Sequence, residues 1–282
     1  MLTTITPYWG RPTMLRVWLR AVSGATCNGF KHIVIFVGES VPDWVQSQYG
    51  EDPRFKLVSF ADHTPGHFSI GHYHNMGAFL ATTEWMMKMD VDTIPNVQYF
   101  QALVGLLNHA QPREWFNGGM MYVSEASSAQ YLAAEKMPLK EETYNTIMGN
   151  TRLHCGGYFA GPSATNFICR RKEYLELGGS DEKFRGYGWE DYQQIYMLER
   201  HFLGRDPLPG PLDESNVTRR CCGEISRIRA HGLWKRNPWL CLLHHWHPAS
   251  PDTRYKSHMG MIANRKILLD CINQVRTGEY KL

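Results

Sequence analysis

The chain has 282 residues, of which 43% are hydrophobic and 20% are charged, and its formal net charge is +3. This composition excludes collagen-like, disordered and disulfide-framework proteins, and the length suffices for one large hydrophobic core. The net charge is too small to indicate a nucleic-acid-binding protein, although it permits an anionic ligand.

Neither a membrane anchor nor a secretion signal is expected from the residue pattern. No apolar run reaches the roughly 18 residues of a membrane-spanning helix, and residues 1–11 lack the basic and apolar pattern of a signal peptide. The seven cysteines show no CxxC spacing. The pairs Cys221–Cys222 and Cys241–His244 match the usual zinc-ligand spacings poorly. We therefore expect free thiols and a cytoplasmic location.

Strands and helices alternate in the predicted structure of the first half. Short apolar segments predict strands over residues 2–6, 32–37, 55–60 and 85–89. One helix is expected to begin at Pro12 and another to cover residues 71–82. The apolar face of the first helix is formed by Leu15, Trp18, Leu19 and Val22. This alternation predicts a parallel sheet with right-handed crossovers.

The second half of the chain is less regular. Its spacing predicts helices over residues 96–109, 172–177 and 189–201, and strands over residues 114–123, 165–169 and 240–243. Gly178–Gly179 should end the second of these helices. Residues 124–150 are polar and weakly periodic, and the glycine-rich residues 154–162 predict a loop. Without repeats or linkers, we predict an α/β fold: a single domain over residues 1–282, with a mixed, mostly parallel sheet flanked by helices.

Two carboxylates, Asp90 and Asp92, directly follow the predicted strand that ends at residue 89. They are expected at the carboxyl edge of the sheet, where α/β proteins bind ligands. Hard carboxylate oxygens suit Mg²⁺ or Mn²⁺, and such a metal neutralises a departing diphosphate. Solvated aspartates in a turn explain this pair alone equally well.

The surroundings of this pair favour the first interpretation. The segments 71–77, 81–84 and 88–92 together resemble the core of family-2-type glycosyltransferases of the GT-A fold. There, a helix with a polar-Asn-x-Gly pattern precedes the strand that delivers a DxD motif. The opening segment 4–11 is similar to their first strand, whose end meets the nucleotide. In this chain His74 stands where Arg or Lys is frequent.

The resemblance implies a donor site for a nucleotide sugar, which we expect to be UDP-linked. It implies that Asp92 binds the metal and that Asp90 is a second ligand or holds the ribose. Glu39 stands where an acidic residue meets the base or ribose. Further nucleotide contacts are implied for Thr6, Pro7, Tyr8, Arg11 and Asn75.

A second motif, Gly186-Tyr-Gly-Trp-Glu-Asp191, follows the segment 170–182. The whole block is similar to the carboxyl half of inverting galactosyltransferases and of polymerising, chondroitin-polymerase-type glycosyltransferases. The resemblance implies that Asp191 deprotonates the acceptor hydroxyl, that Glu190 positions the acceptor and that Trp189 stacks on it. A hydroxyl that attacks an anomeric carbon does need a carboxylate within hydrogen-bond reach. The alternative is an acidic helix N-terminus beside a core tryptophan.

Three histidines lie in the segment 244–248, after the last predicted strand. In relatives a histidine at this place completes the metal site, and imidazole is a suitable third ligand for Mn²⁺. We favour His244, then His247, because strand alternation turns His245 to the other face. Hydrogen-bonded core histidines are the alternative.

The predicted function is a metal-dependent, inverting glycosyltransferase that uses a nucleotide diphosphate sugar and a glycan hydroxyl. We expect a nucleotide-sugar half over residues 1–95, an acceptor half over 96–250 and a helical tail over 251–282. Two alternatives are a glycosyltransferase acting on hydroxymethylated bases of phage-type DNA and a carbohydrate-binding protein without catalysis. The DNA alternative is based on a cluster of basic residues that could contact nucleic acid. The other interpretation of the cluster is a solvated surface. Its members are Arg219, Arg220, Arg227, Arg229, Lys235 and Arg236.

Overall fold

A computed structural model describes residues 1–60, 68–126, 128–129, 160–186, 188–221, 238–247 and 258–280 of the chain. The described strands are β1 Leu2–Tyr8, β2 Phe30–Val37, β3 Phe55–Phe60, β4 Trp85–Lys88, β5 Thr93–Ile94, β6 Phe116–Tyr122, β7 Ala160–Arg170 and β8 Cys241–His244. The described helices are α1 Pro12–Ala25, α2 Asp43–Tyr49, α3 Ile70–Leu80, α4 Tyr99–Asn108, α5 Arg171–Glu176, α6 Glu190–Leu203, α7 Val217–Arg220 and α8 His258–Thr277.

All eight described strands form one sheet in the order β3-β2-β1-β4-β7-β6-β8-β5. The first four, β1 to β4, run parallel to one another, and β6 is parallel to β8. β7 is antiparallel to both of its neighbours, and β5 is antiparallel to β8. The predicted α/β fold, a mixed sheet flanked by helices in one domain, is confirmed.

Helices cover both faces of the sheet. Side chains of a strand alternate between the two faces, so Leu2 of β1 joins one apolar core and Ile5 joins the other. The first core contains Trp18 of α1 and the second contains Ile195 of α6. The predicted apolar face of α1 is buried as expected. The residues of the described chain thus bury apolar side chains on both sides of the sheet, as a largely parallel sheet requires.

β1 is longer than the sequence predicts. A strand end was expected near Pro7, because proline has no N–H for the ladder, but β1 continues to Tyr8. The Ile5 carbonyl accepts a hydrogen bond from the Met89 amide, so the backbone groups of Ile5 point toward β4. Backbone direction repeats every two residues, and the nitrogen of Pro7 therefore points to the same side of β1. β4 pairs only with Leu2–Ile5. No ladder is therefore interrupted at Pro7.

The predicted loop over residues 154–162 is wrong at its end. Residues 160–162 belong to β7, because they pair with Met121, Met120 and Gly119 of β6. The rest of that loop, and most of the polar segment 124–150, lie outside the described residues. Three short elements, α2, β5 and α7, are additions to the prediction.

The carboxyl ends of β1, β4 and β8 converge at one edge of the sheet, beside the amino end of α6. α8 supports the turn before α6, because the Asn264 amide donates to the carbonyls of Arg185 at 2.8 Å and Gly188 at 3.1 Å. Within the described part of the chain, every helix is too short or too polar to cross a lipid bilayer. The division at residues 95 and 250 stays a prediction.

Candidate active site

Three side chains with metal-binding atoms meet at this edge of the sheet. Asp92, His244 and His247 have one ligand atom each within 4.8 Å of the others. Nε2 of His247 lies 3.1 Å from Oδ2 of Asp92, and Nε2 of His244 lies 3.7 Å from Oδ1. The backbone fixes this arrangement, because Thr93 of β5 pairs with His244 of β8 and the His245 amide donates to the Asp92 carbonyl at 2.8 Å.

The charge state of Asp92 is set by competing effects. Burial raises the pKa of its carboxyl group, but the hydrogen bond with His247 and the charges of His244 and Arg11 outweigh burial and hold the pKa at about 2. Arg11 forms an ion pair with Asp92, and its Nη1 lies 3.2 Å from Nε2 of His247. Asp92 is therefore an anion at any physiological pH, as a metal ligand must be.

This donor set fits a divalent metal. One carboxylate and two imidazoles suit Mn²⁺, whereas Mg²⁺ prefers oxygen ligands only. Oδ1 of Asp92 is buried and has no hydrogen-bond partner among the described residues. Asp90, predicted as a second ligand, lies outside this cluster of ligand atoms in the described chain. His245 also lies outside it, with Nδ1 2.7 Å from the Trp246 carbonyl, as strand alternation predicts.

A second group of acidic side chains opens α6. Trp189 precedes the helix with φ of 78°, in the left-handed region, which costs a non-glycine residue about 1–3 kcal/mol. Its ring lies 5.4 Å from that of Tyr192. Glu190 is buried, and burial together with the charge of Asp191 raises its pKa to about 8. At neutral pH the Glu190 carboxyl group is therefore mostly protonated and can donate a hydrogen bond.

The aspartates that follow β4 and the acidic residues that begin α6 influence each other electrostatically. Burial, followed by the charges of Asp92 and Asp191, raises the pKa of Asp90 to about 7. The end of β4 also contacts α6 directly, because the Lys88 ammonium group donates to Oε1 of Gln194. Sequence analysis missed the cation beside them, Lys88 of β4, which is buried. Lys88 could have been noticed in the sequence, because it is the one charged residue in the otherwise apolar predicted strand over residues 85–89.

The comparison with protein families fits this geometry. The sequence model described as "Glycosyltransferase like family 2" matches residues 33–218, which is more than half of the chain. The chain belongs to this glycosyltransferase family. Its mixed sheet with flanking helices is the GT-A fold, so the chain is an enzyme of the glycosyltransferase class. A search of curated proteins finds no match.

Solved glycosyltransferase structures are similar to this one in outline. Residues 1–349 of S. aureus TarS are 11% identical, with 100% of this chain and 93% of that chain covered and a TM-score of 0.45. GalNAc-T7 with UDP, GalNAc and Mn²⁺ is 13% identical, with 71% and 40% covered and a TM-score of 0.48. The mannosyltransferase PcManGT from Pyrobaculum calidifontis, with GDP-Man and Mn²⁺, is 14% identical, with 100% and 76% covered and a TM-score of 0.46. Similarity at this level does not identify a substrate.

The glycosyltransferase buries three residues for which nucleotide contacts were predicted. Thr6, Pro7 and Tyr8 are the last three residues of β1, and all three are buried. Tyr8 is only 2% exposed and packs edge-on against Phe36, with ring centroids 5.3 Å apart. Burial raises the pKa of Tyr8 to about 12. The side chain of Tyr8 is therefore enclosed by the core, and its ring is not accessible to a nucleotide.

The loop after β1 does reach the edge of the sheet in the glycosyltransferase. Oε1 of Glu39, at the end of β2, accepts a hydrogen bond from the Gly10 amide at 3.3 Å. Trp9, which sequence analysis missed, is half-buried and stacks on Phe68 with centroids 5.4 Å apart. Glu39 and Arg11 are thus the two predicted nucleotide contacts from this region that are partly exposed.

Asn75 of α3 has its amide engaged by the glycosyltransferase itself. Nδ2 donates to the Ser180 carbonyl at 2.9 Å and to Glu182 at 2.9 Å. Oδ1 accepts from the Tyr174 hydroxyl at 2.7 Å and from the Ser180 amide at 3.0 Å. An asparagine amide has two donors and two acceptor positions, and all are used. We therefore assign Asn75 to support of the loop after α5, in place of the predicted nucleotide contact.

His74 is buried beside Lys88, and its ring nitrogens have no hydrogen-bond partner among the described residues. Burial, with the charge of Lys88, lowers its pKa well below the usual value, so this histidine offers no charge to a phosphate. In the basic cluster, Arg220 donates to the carbonyls of Pro209 at 2.6 Å and Pro211 at 2.8 Å. Residues 227, 229, 235 and 236 lie outside the described chain. The five cysteines that the structure describes are free thiols.

Proposed function

We propose that this glycosyltransferase depends on Mn²⁺ and moves the sugar of a UDP-sugar, with inversion of the anomeric carbon, onto a hydroxyl group of a glycan. The observation that carries the proposal is the meeting of Asp92, His244 and His247 at the sheet edge. The metal-binding triad would stabilise the leaving diphosphate. The acidic residues at the start of α6 would accept the proton of the acceptor hydroxyl.

The leaving-group side consists of the triad and Arg11. Asp92, His244 and His247 would hold the ion, which when bound supplies positive charge to the departing diphosphate. Arg11 already lies against Asp92. Its planar guanidinium group pairs well with phosphate oxygens, so we assign it to the diphosphate. Asp90 is assigned to the ribose, because its carboxyl group lies outside the triad.

The acceptor side consists of Trp189, Glu190 and Asp191. Asp191 is partly exposed and takes the proton of the acceptor hydroxyl as its oxygen bonds to the anomeric carbon. The bond to the diphosphate breaks on the opposite face, and its electron pair leaves with the diphosphate. One such in-line displacement inverts the anomeric configuration. Glu190, protonated at neutral pH, donates to an acceptor oxygen, and Trp189 offers a ring face to the sugar.

A glycan is favoured over DNA as the acceptor. A DNA acceptor depends on phosphate contacts, which the predicted basic cluster was expected to supply. Arg220 is committed to backbone carbonyls. An aromatic side chain at the start of α6 suits a sugar ring. The likeness to galactosyl- and polymerising enzymes and the cytoplasmic location stay predictions.

The proposal is tested by incubating the protein with a panel of UDP-sugars and GDP-sugars, each with Mn²⁺ and each with Mg²⁺. Product NMR and thermal unfolding are the measurements. We expect one UDP-sugar to raise the unfolding temperature and to be hydrolysed slowly, with Mn²⁺ more effective than Mg²⁺ because two imidazoles are ligands. A panel in which no nucleotide sugar is bound or hydrolysed contradicts the proposal.

A further inference from the structure

Lys88 is the only lysine or arginine that is buried among the residues that the structure describes. It ends β4, and 2% of it is exposed. An ammonium group loses its hydration on burial, which is unfavourable unless other groups replace the water. The mechanism outlined above gives this side chain no role, so its position calls for an explanation.

The ammonium group of Lys88 contacts side chains from four other parts of the fold. It donates to Oγ of Ser180 at 3.1 Å and to Oε1 of Gln194. The ring centroids of Phe167 and Tyr174 lie 5.5 Å and 5.9 Å from Nζ, close enough for the rings to attract the cation. These contacts connect β4 with α6, with β7, with α5 and with the loop after α5.

The contact with Gln194 brings the ammonium group within one helical turn of the acidic pair. Residues three and four positions apart share a helix face, so Gln194 lies on the face of α6 that carries Glu190 and Asp191. Asp90 follows Lys88 by two residues along the chain. Burial lowers the pKa of Lys88, whereas the charges of Asp191, Glu190 and Asp90 favour its protonated form.

We propose that Lys88 is a positioning residue of the active site. Its ammonium group joins the strand that leads into Asp90 and Asp92 to the helix that begins with Glu190 and Asp191, and its charge reduces the repulsion among these carboxyl groups. The inference rests on the proposed function for its effect on transfer. It states that Lys88 acts through the carboxyl groups and does not itself touch the sugar.

When Lys88 is replaced, we expect the structural change to be confined to α6. Ser180, the partner in the loop after α5, is also held by Asn75, which bonds both its carbonyl and its amide. That loop therefore keeps two hydrogen bonds when Lys88 is replaced. Gln194 is buried, and its Nε2 has no hydrogen-bond partner among the described residues. Loss of Lys88 thus removes the hydrogen bond that Gln194 accepts from the ammonium group, whereas the neighbouring Gln193 still accepts from the Asp181 amide at 3.3 Å.

The test compares Lys88→Met with the wild type. Methionine keeps an unbranched chain of similar length and removes the charge and both hydrogen bonds. We expect kcat for transfer to fall about a hundredfold, since displacement of a catalytic group by about 1 Å has that effect. Affinity for UDP with Mn²⁺, measured by calorimetry, should stay within about threefold, because the pairing of Thr93 with His244 and the hydrogen bond from the His245 amide to the Asp92 carbonyl hold the metal triad without Lys88.

A second measurement does not depend on activity. Hydrogen exchange of the amides of residues 193–197 should be faster in Lys88→Met, because these amides donate within α6 and its first turns open more easily. Arg54→Met is the matched control. Arg54 pairs with Asp52 just before β3, at the amino end of the parallel strands and away from the site. This control should change neither transfer nor the exchange of α6.

The outcomes separate the two proposals. Slower transfer with retained donor affinity and faster exchange supports the role of Lys88. Transfer within about threefold of the wild type, a parallel loss of donor affinity, or unchanged exchange overturns it. If the wild type transfers no sugar from any donor, the proposed function fails, and the exchange measurement alone decides whether Lys88 holds α6 to the sheet.

Discussion

Replacement of Asp191 by asparagine is expected to slow sugar transfer about a hundredfold to ten-thousandfold, because this removes the base that accepts the hydroxyl proton. Affinity for the donor should barely change, since the proposed function assigns Asp191 to the acceptor and places the nucleotide contacts at the ends of β1, β2 and β4. Calorimetry with UDP and Mn²⁺ measures the affinity, and product NMR measures transfer and the anomeric configuration of the product.

Glu190→Gln is the matched comparison for Asp191→Asn. The pKa of Glu190 is raised to about 8, so at neutral pH its carboxyl group is mostly protonated and resembles the amide that replaces it. Its loss of activity should therefore be smaller than that of Asp191→Asn. Normal transfer by Asp191→Asn, or a product that retains the configuration of the donor, contradicts the assignment.

Replacement of Asp92 by alanine is expected to abolish Mn²⁺-dependent donor binding while the protein stays folded. Asp92 is the one carboxylate of the triad and also the partner of Arg11, so the variant loses a metal ligand and releases the cation beside it. Excess EDTA should stop transfer by the wild type for the same reason. Calorimetric titration with Mn²⁺ and UDP is the measurement.

Asp52→Ala serves as its control. This change removes a carboxylate from the Asp52–Arg54 ion pair, which lies at the opposite end of the parallel strands. Donor binding and transfer should be unchanged in this variant. Full transfer by Asp92→Ala, or by the wild type in excess EDTA, is incompatible with metal dependence.

The parallel part of the fold could be predicted because its strands are short apolar runs between helices. β2 and β3 were located within two residues, as was the helix that begins at Pro12. Local patterns failed where long-range pairing decides the structure. Pro7 continues β1 because its flank is free of β4, and residues 160–162 are strand because β6 lies beside them. Neither fact is visible in a local window.

The candidate site divides in the same way. Asp92, His244 and His247 were proposed as ligands from motif resemblance, and the structure brings them together. The burial of Tyr8 could not be deduced, because it depends on the packing of Phe36 from a neighbouring strand. Lys88 was missed since its partners, Ser180 and Gln194, are distant in sequence. Sequence patterns thus located the three side chains of the candidate metal site but not the neighbouring groups that surround them.

Electron–nuclear double resonance of Mn²⁺, bound together with UDP, tests the central claim most directly. The account predicts ¹⁴N couplings from His244 and His247 and ³¹P couplings from the diphosphate in one spectrum. His244→Ala and His247→Ala should each remove nitrogen couplings, whereas His245→Ala, whose imidazole lies outside the triad, should keep them. A spectrum of the bound ion without nitrogen couplings, or without phosphorus couplings, would contradict the account.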